Sequence, residues 1–197
     1  MSKEKRQIEK KDLIPSDIYA VDRKKIRKNL VEFKKYRRVA LGPYATFYFE
    51  SFETMLAQVQ EMLYIEKGGD EQLSDELIAY NPLVPNGKEL TATLMFEIDN
   101  PISRAAFLEK VGGIEEKVFI KIDKEVIKAS PEKDVDRTSA NGKASSVQFI
   151  HFKLNDNQID KFKSGSSNIE LGIEHKEYAH STKLTDENIK SLTADFI

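Results

Sequence analysis

The stretch RRVALGPYATFYFESFETMLAQVQEMLYIE, residues 37–66, carries the strongest local folding signals in the chain. Its Gly42-Pro43 pair predicts a turn between two short strands, because glycine tolerates unusual backbone angles and proline fixes one. Ser51 then predicts the N-cap of a helix with apolar residues at helical spacing. A strand pair followed at once by an amphipathic helix indicates a domain that mixes sheet and helix.

Periodicity elsewhere in the chain predicts the remaining elements. We expect helices over about 16–35, 52–67, 72–80, 103–111, 156–163 and 185–194, and strands at 39–41, 46–49, 91–98, 117–122, 125–129, 146–154 and 169–174. Ser16 is the predicted cap of the first helix, whose predicted apolar face is Ile18, Val21, Ile26, Leu30 and Phe33. The fold class predicted is α+β, a single domain with an antiparallel sheet covered by helices.

The domain boundaries follow from the charge pattern at the N-terminus. Residues 1–11 form a predicted disordered basic tail, and residues 12–197 form the single α+β domain. Within that domain, residues 12–36 form a basic helix that either projects or packs on the rest. Residues 130–145 are polar and predict a mobile loop.

The composition excludes several functional classes. At 197 residues and 40% hydrophobic residues, the chain is long enough for one well-buried domain. It has no cysteine, which excludes disulfides, thiol catalysis and metal centres held by its own thiolates. No apolar run approaches the roughly 20 residues of a membrane helix, and the charged start has no secretory signal. We therefore expect a cytoplasmic protein that does not enter a membrane.

The charge is unevenly divided along the chain. Residues 1–38 hold 14 lysine and arginine residues against 6 acids, whereas residues 39–197 hold 17 against 27. Such a basic segment steers a protein toward an acidic protein, nucleic acid or anionic lipid. The alternative is that the basic helix is solvated or packs on the acidic remainder. For a partner protein, the predicted contact residues are Lys24, Lys25 and Lys28.

One stripe of the predicted second helix is more polar than solubility requires. Thr54, Gln58 and Glu61 follow one another at helical spacing beside the apolar face, and Glu50 precedes the cap. They line either a polar pocket, with Glu61 as acid, base or ligand, or only the solvent boundary of the helix. His175 and His180 flank Tyr178, but their spacing matches no compact metal motif. We therefore predict no metal and no cofactor.

A third possibility is RNA binding. The segment FKKYRR at 33–38 precedes YATFYF at 44–49, so basic and aromatic residues are interleaved. Aromatic side chains on a strand stack with bases in several RNA-binding domains. An ordinary strand beside a basic helix end has the same pattern, and we consider nucleic acid the weaker alternative.

The sequence resembles a bacterial family defined only as domain of unknown function 3501. The matching residues are Arg38 to Pro43, Thr46 to Glu50, Thr54-Met55, Gln58 to Leu63, Ala79 to Leu83 with Pro85 and Gly87, Ala92-Thr93, Ser145 to Val147 with Phe149 and Phe152, and Gly172-Ile173 with His175 and Tyr178. Two positions depart from the family pattern, Gln148 in place of a histidine and Lys176 in place of a proline. The first departure weakens any metal site that would use that histidine.

The resemblance implies a role beside rubrerythrin-like and iron–sulfur oxidoreductases, whose genes are often neighbours of the family. The polar stripe Thr54, Gln58 and Glu61 and the loop at Tyr80-Asn81 are among the most recognisable parts of the family. The resemblance therefore favours either a pocket or a buried polar network at these residues. Our leading hypothesis is a non-catalytic accessory protein that binds a redox partner protein. The alternative is a small-molecule or metal-binding enzyme that uses Glu50, Glu61 and His175, with Tyr80 or Tyr178 nearby.

Overall fold

The computed structural model describes residues 6–132 and 142–197 and has the predicted α+β class. The helices are α1 (Ser16–Lys34), α2 (Phe52–Glu66), α3 (Gly69–Tyr80), α4 (Pro101–Lys110), α5 (Asp156–Ser164) and α6 (Asp186–Thr193). The strands are β1 (Arg38–Leu41), β2 (Ala45–Phe49), β3 (Glu89–Phe96), β4 (Val118–Ile122), β5 (Glu125–Lys128), β6 (Ser130–Pro131), β7 (Val147–Lys153), β8 (Ile169–His175) and β9 (Tyr178–Lys183). Short 3-10 helices lie at Lys10–Asp12, Asn81–Leu83 and Ile114–Lys117.

The strands divide between two antiparallel sheets, where the sequence suggested one. The first sheet has the order β1-β2-β3-β7-β6, and the second has the order β5-β4-β8-β9. The division depends on pairings such as β3 with β7, which join segments more than fifty residues apart. Local sequence patterns do not encode such long-range register, so the fold class was predictable and the number of sheets was not.

The main core contains the inner faces of both sheets. Alternate residues of β3 (Leu90, Ala92, Leu94 and Phe96) are almost fully buried and point toward this core. Ile150 and Phe152 of β7 do the same, as the alternation of the sequence predicted. Strands β4 and β8 supply Val118, Ile120, Ile122, Leu171 and Ile173 to the same core. Helices α5 and α6 add Ile159, Phe162, Ile189 and Leu192.

A smaller second core lies on the opposite face of the first sheet. Its buried residues are Ile8, Phe52, Met55, Val59, Leu73, Leu83 and Val84, which come from the N-terminal segment, α2, α3 and the following loop. Phe149 of β7 packs against it from the sheet. Helix α2 thus covers the outer face of the sheet, and its start is capped by Ser51 as predicted.

The N-terminal segment packs on this second core. The side chain of Ile8 is 1% exposed, and the amide of Asn81 bonds the Ile8 backbone twice, at 2.7 Å to its N–H and at 3.1 Å to its carbonyl. Residues 6–11 are therefore not part of a disordered tail as predicted, because Ile8 is buried even though the residues around it are charged. Residues 1–5 and the segment 133–141 of the predicted polar loop lie outside the described residues.

Two local predictions need correction. Ser16 is the first residue of α1 and not its cap, since Pro15 occupies the N-cap position without a side-chain hydrogen bond to the helix. Strand β9 was missed because its sequence, YAHSTK, has no run of apolar residues. It is an edge strand that pairs only with β8 through a tight hairpin, so it needs little apolar surface.

Candidate functional site

Glu50 and Thr54 form a buried network at the start of α2. Glu50 is 4% exposed, and its carboxylate accepts hydrogen bonds from the hydroxyls of Thr54 at 2.6 Å and Thr93 at 2.7 Å. The hydroxyl of Thr54 also accepts the backbone N–H of Ser51 at 2.9 Å. Because both carboxylate oxygens are bonded inside the protein, this network joins α2 to β3 and does not open to a ligand.

Glu61 joins α1 to α2. Its carboxylate accepts a hydrogen bond from the Tyr19 hydroxyl at 2.6 Å and an ion pair from the Arg23 guanidinium. The hydrogen bond from Arg23 lowers the pKa of Glu61 to about 2, and burial raises the pKa of Tyr19 to about 12. A carboxylate with so low a pKa stays ionised at neutral pH, so it is poorly suited to general acid–base catalysis.

Gln58 and Tyr80 belong to the contact between α2 and α3. The Gln58 amide donates to the Tyr80 hydroxyl at 3.3 Å. One residue further, Asn81 clamps the backbone of Ile8 and so holds the N-terminal segment in place. These predicted pocket residues therefore have structural partners.

His175 and Tyr178 lie in the second sheet, at the hairpin between β8 and β9. The Nδ1 atom of His175 accepts the backbone N–H of Glu177 at 3.2 Å. The Tyr178 hydroxyl accepts the backbone N–H groups of Tyr44 at 3.1 Å and Ala45 at 3.0 Å, and it donates to the carbonyl of Leu41. Tyr178 thus fastens the second sheet to the β1–β2 turn of the first.

Gly42 makes this attachment possible. Its φ of +64° favours glycine, and a Cβ atom there would lie 2.5 Å from the His180 ring and 2.7 Å from the Tyr178 hydroxyl. The Gly-Pro turn predicted from the sequence is therefore also a point of close approach between the sheets.

The predicted pocket residues do not converge on one site. Glu50, Glu61 and His175 each bond to a different set of partners, in the β3 contact, the α1 contact and the β8–β9 hairpin. In the described part of the chain, no group of three or more His, Asp or Glu side chains is placed to hold a metal ion. Shared spacing on a helix did not predict a shared site, because each side chain meets a different neighbour.

One buried histidine was not among the predicted site residues. His151 lies between two carboxylates, with Nε2 2.9 Å from Glu132 and Nδ1 3.3 Å from Glu89. Burial alone would lower the pKa of His151, but the two glutamates outweigh it and raise the pKa. The strand alternation correctly predicted that His151 and Ile150 lie on opposite faces of the sheet. The acidic partners of His151 come from distant segments that local patterns do not connect.

A second polar cluster lies on the outer face of the first sheet. Glu97 accepts hydrogen bonds from Thr46 at 2.6 Å and Tyr48 at 2.7 Å and pairs with Arg38 at 3.2 Å. These contacts lower the pKa of Glu97, whereas burial raises the pKa of Tyr48 to about 12. Phe47, on the other face of β2, is fully buried. Of the aromatic residues in the segment 44–49, Phe47 and Phe49 are therefore in the core, whereas Tyr48 is half-buried and Tyr44 is 40% exposed.

Helix α1 is largely exposed. Only Tyr19 among its residues is buried. Ile18 is 49% exposed and Val21 is 83% exposed, so these two are not part of the buried face that their periodicity predicted. The face of α1 that contacts α2 carries Tyr19 and Arg23 instead. Tyr19 donates a hydrogen bond to Glu61, and Arg23 pairs with Glu61 and lies over the Tyr64 ring.

Lys24, Lys25 and Lys28 form a lysine stripe on the exposed surface of α1. All three are exposed, and residues three or four apart on a helix lie on the same side. Within residues 6–132 and 142–197, no ion pair or hydrogen bond joins their ammonium groups to the rest of the chain. The acidic residues that the structure describes therefore form no ion pair with the stripe.

An apolar groove runs between α1 and α2 and has a volume of about 390 Å³. Its lining residues are Asp12, Ile14, Tyr19, Ile26, Asn29, Leu30, Phe33, Glu53, Leu56, Ala57 and Gln60. The Gln60 amide closes one side, because it bonds the Ile14 carbonyl at 3.1 Å and the Ile14 N–H at 2.9 Å. Helix α1 thus carries both the lysine stripe and one wall of this groove.

Comparison with known proteins agrees with the family resemblance. The family described as "Protein of unknown function (DUF3501)" matches residues 7–196. The chain belongs to this family. A crystal structure of a novel protein of unknown function from Burkholderia pseudomallei is similar, with 33% sequence identity and a TM-score of 0.90. The alignment covers 97% of this chain and 100% of that one.

Two further results concern relatives and membranes. The comparison with curated proteins gave no match. Among residues 6–132 and 142–197, none of the helices has both the length and the apolar character needed to cross a membrane.

Proposed function

We propose that this protein is a non-catalytic accessory protein that binds an acidic surface of a partner protein through α1. The observation that carries the proposal is the lysine stripe, Lys24, Lys25 and Lys28, whose charges have no partner in the described part of the chain. A positively charged surface that forms no ion pairs within its own chain attracts a negatively charged partner and orients its approach.

The arrangement of α1 supports this role. The ion pair of Arg23 with Glu61 fixes the helix on α2, so the lysines are presented from a held position and not from a loose arm. Presentation on a rigid element reduces the ordering cost of binding. Ile18 and Val21, exposed beside the lysines, offer apolar area to the same contact.

The interior networks favour binding over catalysis. Glu50, Glu61 and His175, the residues of the alternative enzyme, are held apart in separate structural contacts. A redox protein as the partner and the cytoplasm as the compartment are part of the proposal. They rest on the family resemblance and on the composition, respectively.

The test is a quantitative affinity capture from cells that naturally make the protein. The variant combines Lys24→Glu, Lys25→Glu and Lys28→Glu. The matched control combines Lys124→Glu, Lys128→Glu and Lys176→Glu, three exposed lysines near the β4–β5 and β8–β9 hairpins. Both triple variants change the net charge by the same amount, so a difference between them reports position and not total charge.

We expect one dominant partner that the wild type and the control both retain. The α1 variant should retain at most about a tenth of it, because loss of three attractive charges and gain of three repulsive ones exceeds about 1.4 kcal/mol. Added salt should weaken the wild-type complex. Equal capture by the α1 variant and the control would refute the role of the lysine stripe.

A further inference from the structure

The exposed apolar residues of this protein are concentrated near α1. Among residues 6–132 and 142–197, half of the twelve large hydrophobic residues that are exposed lie between residues 14 and 36. They are Ile14, Ile18, Val21, Val31, Phe33 and Tyr36. Of these, Ile14 and Phe33 line the apolar groove, and exposed apolar side chains beside a groove are typical of an interaction site.

One line of residues on α1 borders the groove, and we name it the α1 seam. It consists of Ile18, Asp22, Lys25, Asn29 and Phe33, which follow one another at steps of four, three, four and four. Residues at these steps lie on one side of a helix. Asn29 and Phe33 line the groove directly, so the seam is the edge of α1 where the groove opens.

The α1 seam is self-complementary when read in opposite directions. When two antiparallel α1 helices are aligned so that they cross at a point between Lys25 and Ile26, Ile18 of one helix is level with Phe33 of the other. In the same alignment Asp22 is level with Asn29, and it lies about one turn, roughly 5.4 Å, from Lys25 of the other helix. Apolar residues thus meet apolar residues at both ends, and opposite charges meet near the middle.

We propose that a second copy of this chain occupies the groove, with the two α1 helices antiparallel across a two-fold axis. Such an axis repeats each contact, so the surface must be complementary to itself, as the α1 seam is. Ile18 of each copy would enter the Phe33 end of the other copy's groove. Each helix is about 28 Å long for its 19 residues.

Charge decides the orientation. In the described residues, the side chains of Asp22 and Lys25 form no ion pair and no hydrogen bond within their own chain. An antiparallel pair brings the two Lys25 side chains toward the axis, and the two Asp22 carboxylates from opposite copies neutralise them. A parallel pair would place Asp22 beside Asp22 and Lys25 beside Lys25 with no opposite charge between the copies, which is destabilising.

Two of the three lysines of the stripe lie outside the proposed dimer contact. Lys24 and Lys28 lie on α1 away from the groove, since neither is among its lining residues. Both remain exposed in the antiparallel pair, which would present the lysines of two copies to an acidic partner. Lys25 and Ile18 belong to both proposed contacts, so Lys24 and Lys28 are the residues that separate them. Lys24→Glu combined with Lys28→Glu should weaken partner capture and leave the dimer dissociation constant unchanged, whereas Asp22→Lys should weaken the dimer.

The test is sedimentation velocity of the full chain from about 1 µM to 1 mM, a range that includes weak and moderate dimers. The variants are Asp22→Lys, Lys25→Asp and the double exchange of both. We expect the wild type to dimerise, each single variant to raise the dimer dissociation constant at least about tenfold, and the double variant to restore it. Asp75→Lys on α3, an exposed site outside the seam, is the control and should leave the constant unchanged.

Circular dichroism and melting temperature establish that the variants are folded before the comparison. A wild type that stays monomeric throughout the range would overturn the proposal and would leave the groove to a different molecule. A dimer that neither single variant weakens, or that the double exchange fails to restore, would overturn the antiparallel seam.

Discussion

Replacement of Glu61 by glutamine tests whether this residue anchors α1 or serves chemistry. Glu61 accepts the Tyr19 hydroxyl and the Arg23 guanidinium, and the side chains of the ion pair are 24% and 31% exposed. Glutamine keeps the shape and loses the charge. We therefore expect the variant to fold and to hold α1 less firmly.

The pKa of Glu61 sets the scale of this loss. A fall from the ordinary value of 4.5 to about 2 corresponds to about 3 kcal/mol of differential interaction between the charged and neutral forms. Solvent screens a pair that is a quarter to a third exposed, so we expect a destabilisation of about 1–2 kcal/mol at neutral pH.

The pH dependence has a definite sign. The pKa of Glu61 is lower in the folded state, so its contribution is fully present above the unfolded value near 4.5. That contribution is lost as the pH falls toward about 2. The difference in stability between the wild type and Glu61→Gln should therefore shrink over this acid range and stay constant above it.

Two assays measure the effect. Urea unfolding followed by circular dichroism gives the global stability, and hydrogen exchange of the α1 amides detects a helix that detaches locally. Glu125→Gln, which breaks a more exposed pair with Lys161, is the control and should destabilise the protein less than Glu61→Gln does. Unchanged stability and unchanged α1 exchange in Glu61→Gln would refute the anchoring role.

Three further predictions concern the folded framework. Gly42→Ala should lower stability by more than about 2 kcal/mol in urea unfolding, because its φ is +64° and its Cβ would meet the His180 ring at 2.5 Å. A loss of only about 1–2 kcal/mol, the cost of the left-handed backbone alone, would contradict the close approach. Phe47→Ala, at a fully buried position, should lower it by about 3–5 kcal/mol, and a calorimetric melting temperature equal to the wild type would contradict the core assignment. The raised pKa of His151 implies stability that is full below its ordinary value of 6.5 and is lost as the pH rises through the folded value. His151→Gln should therefore differ from the wild type more at pH about 6 than at pH about 9, as urea unfolding at both pH values would measure, and an equal difference would argue against ionic contacts with Glu89 and Glu132.

The local structure of the chain was largely predictable. Ser51 caps α2 as its position before an apolar run indicated, and the Gly42-Pro43 turn joins β1 to β2. Strand β7 alternates between the two cores as its pattern predicted. Each of these features is set by residues within a few positions of one another, which is the range over which sequence patterns carry information.

Local sequence patterns did not predict which face of α1 is buried or which residues the polar stripe of α2 contacts. Periodicity favoured Ile18 and Val21 as buried, yet contacts of Tyr19 and Arg23 with Glu61, about forty residues away, orient the helix differently. The polar residues of α2 share one side of a helix but bond to different elements. The orientation of α1 and the partners of the polar residues of α2 both depend on tertiary contacts between distant residues. A single sequence does not identify these contacts.

The most direct measurement of the central claim is zero-length carbodiimide crosslinking of the captured complex, followed by mass spectrometry. This reagent joins a lysine amine to a carboxylate only where the two are in contact. Our account predicts crosslinks from Lys24, Lys25 or Lys28 to acidic residues of the partner. Crosslinks confined to lysines elsewhere, such as Lys124 or Lys176, would contradict the claim that α1 is the binding element.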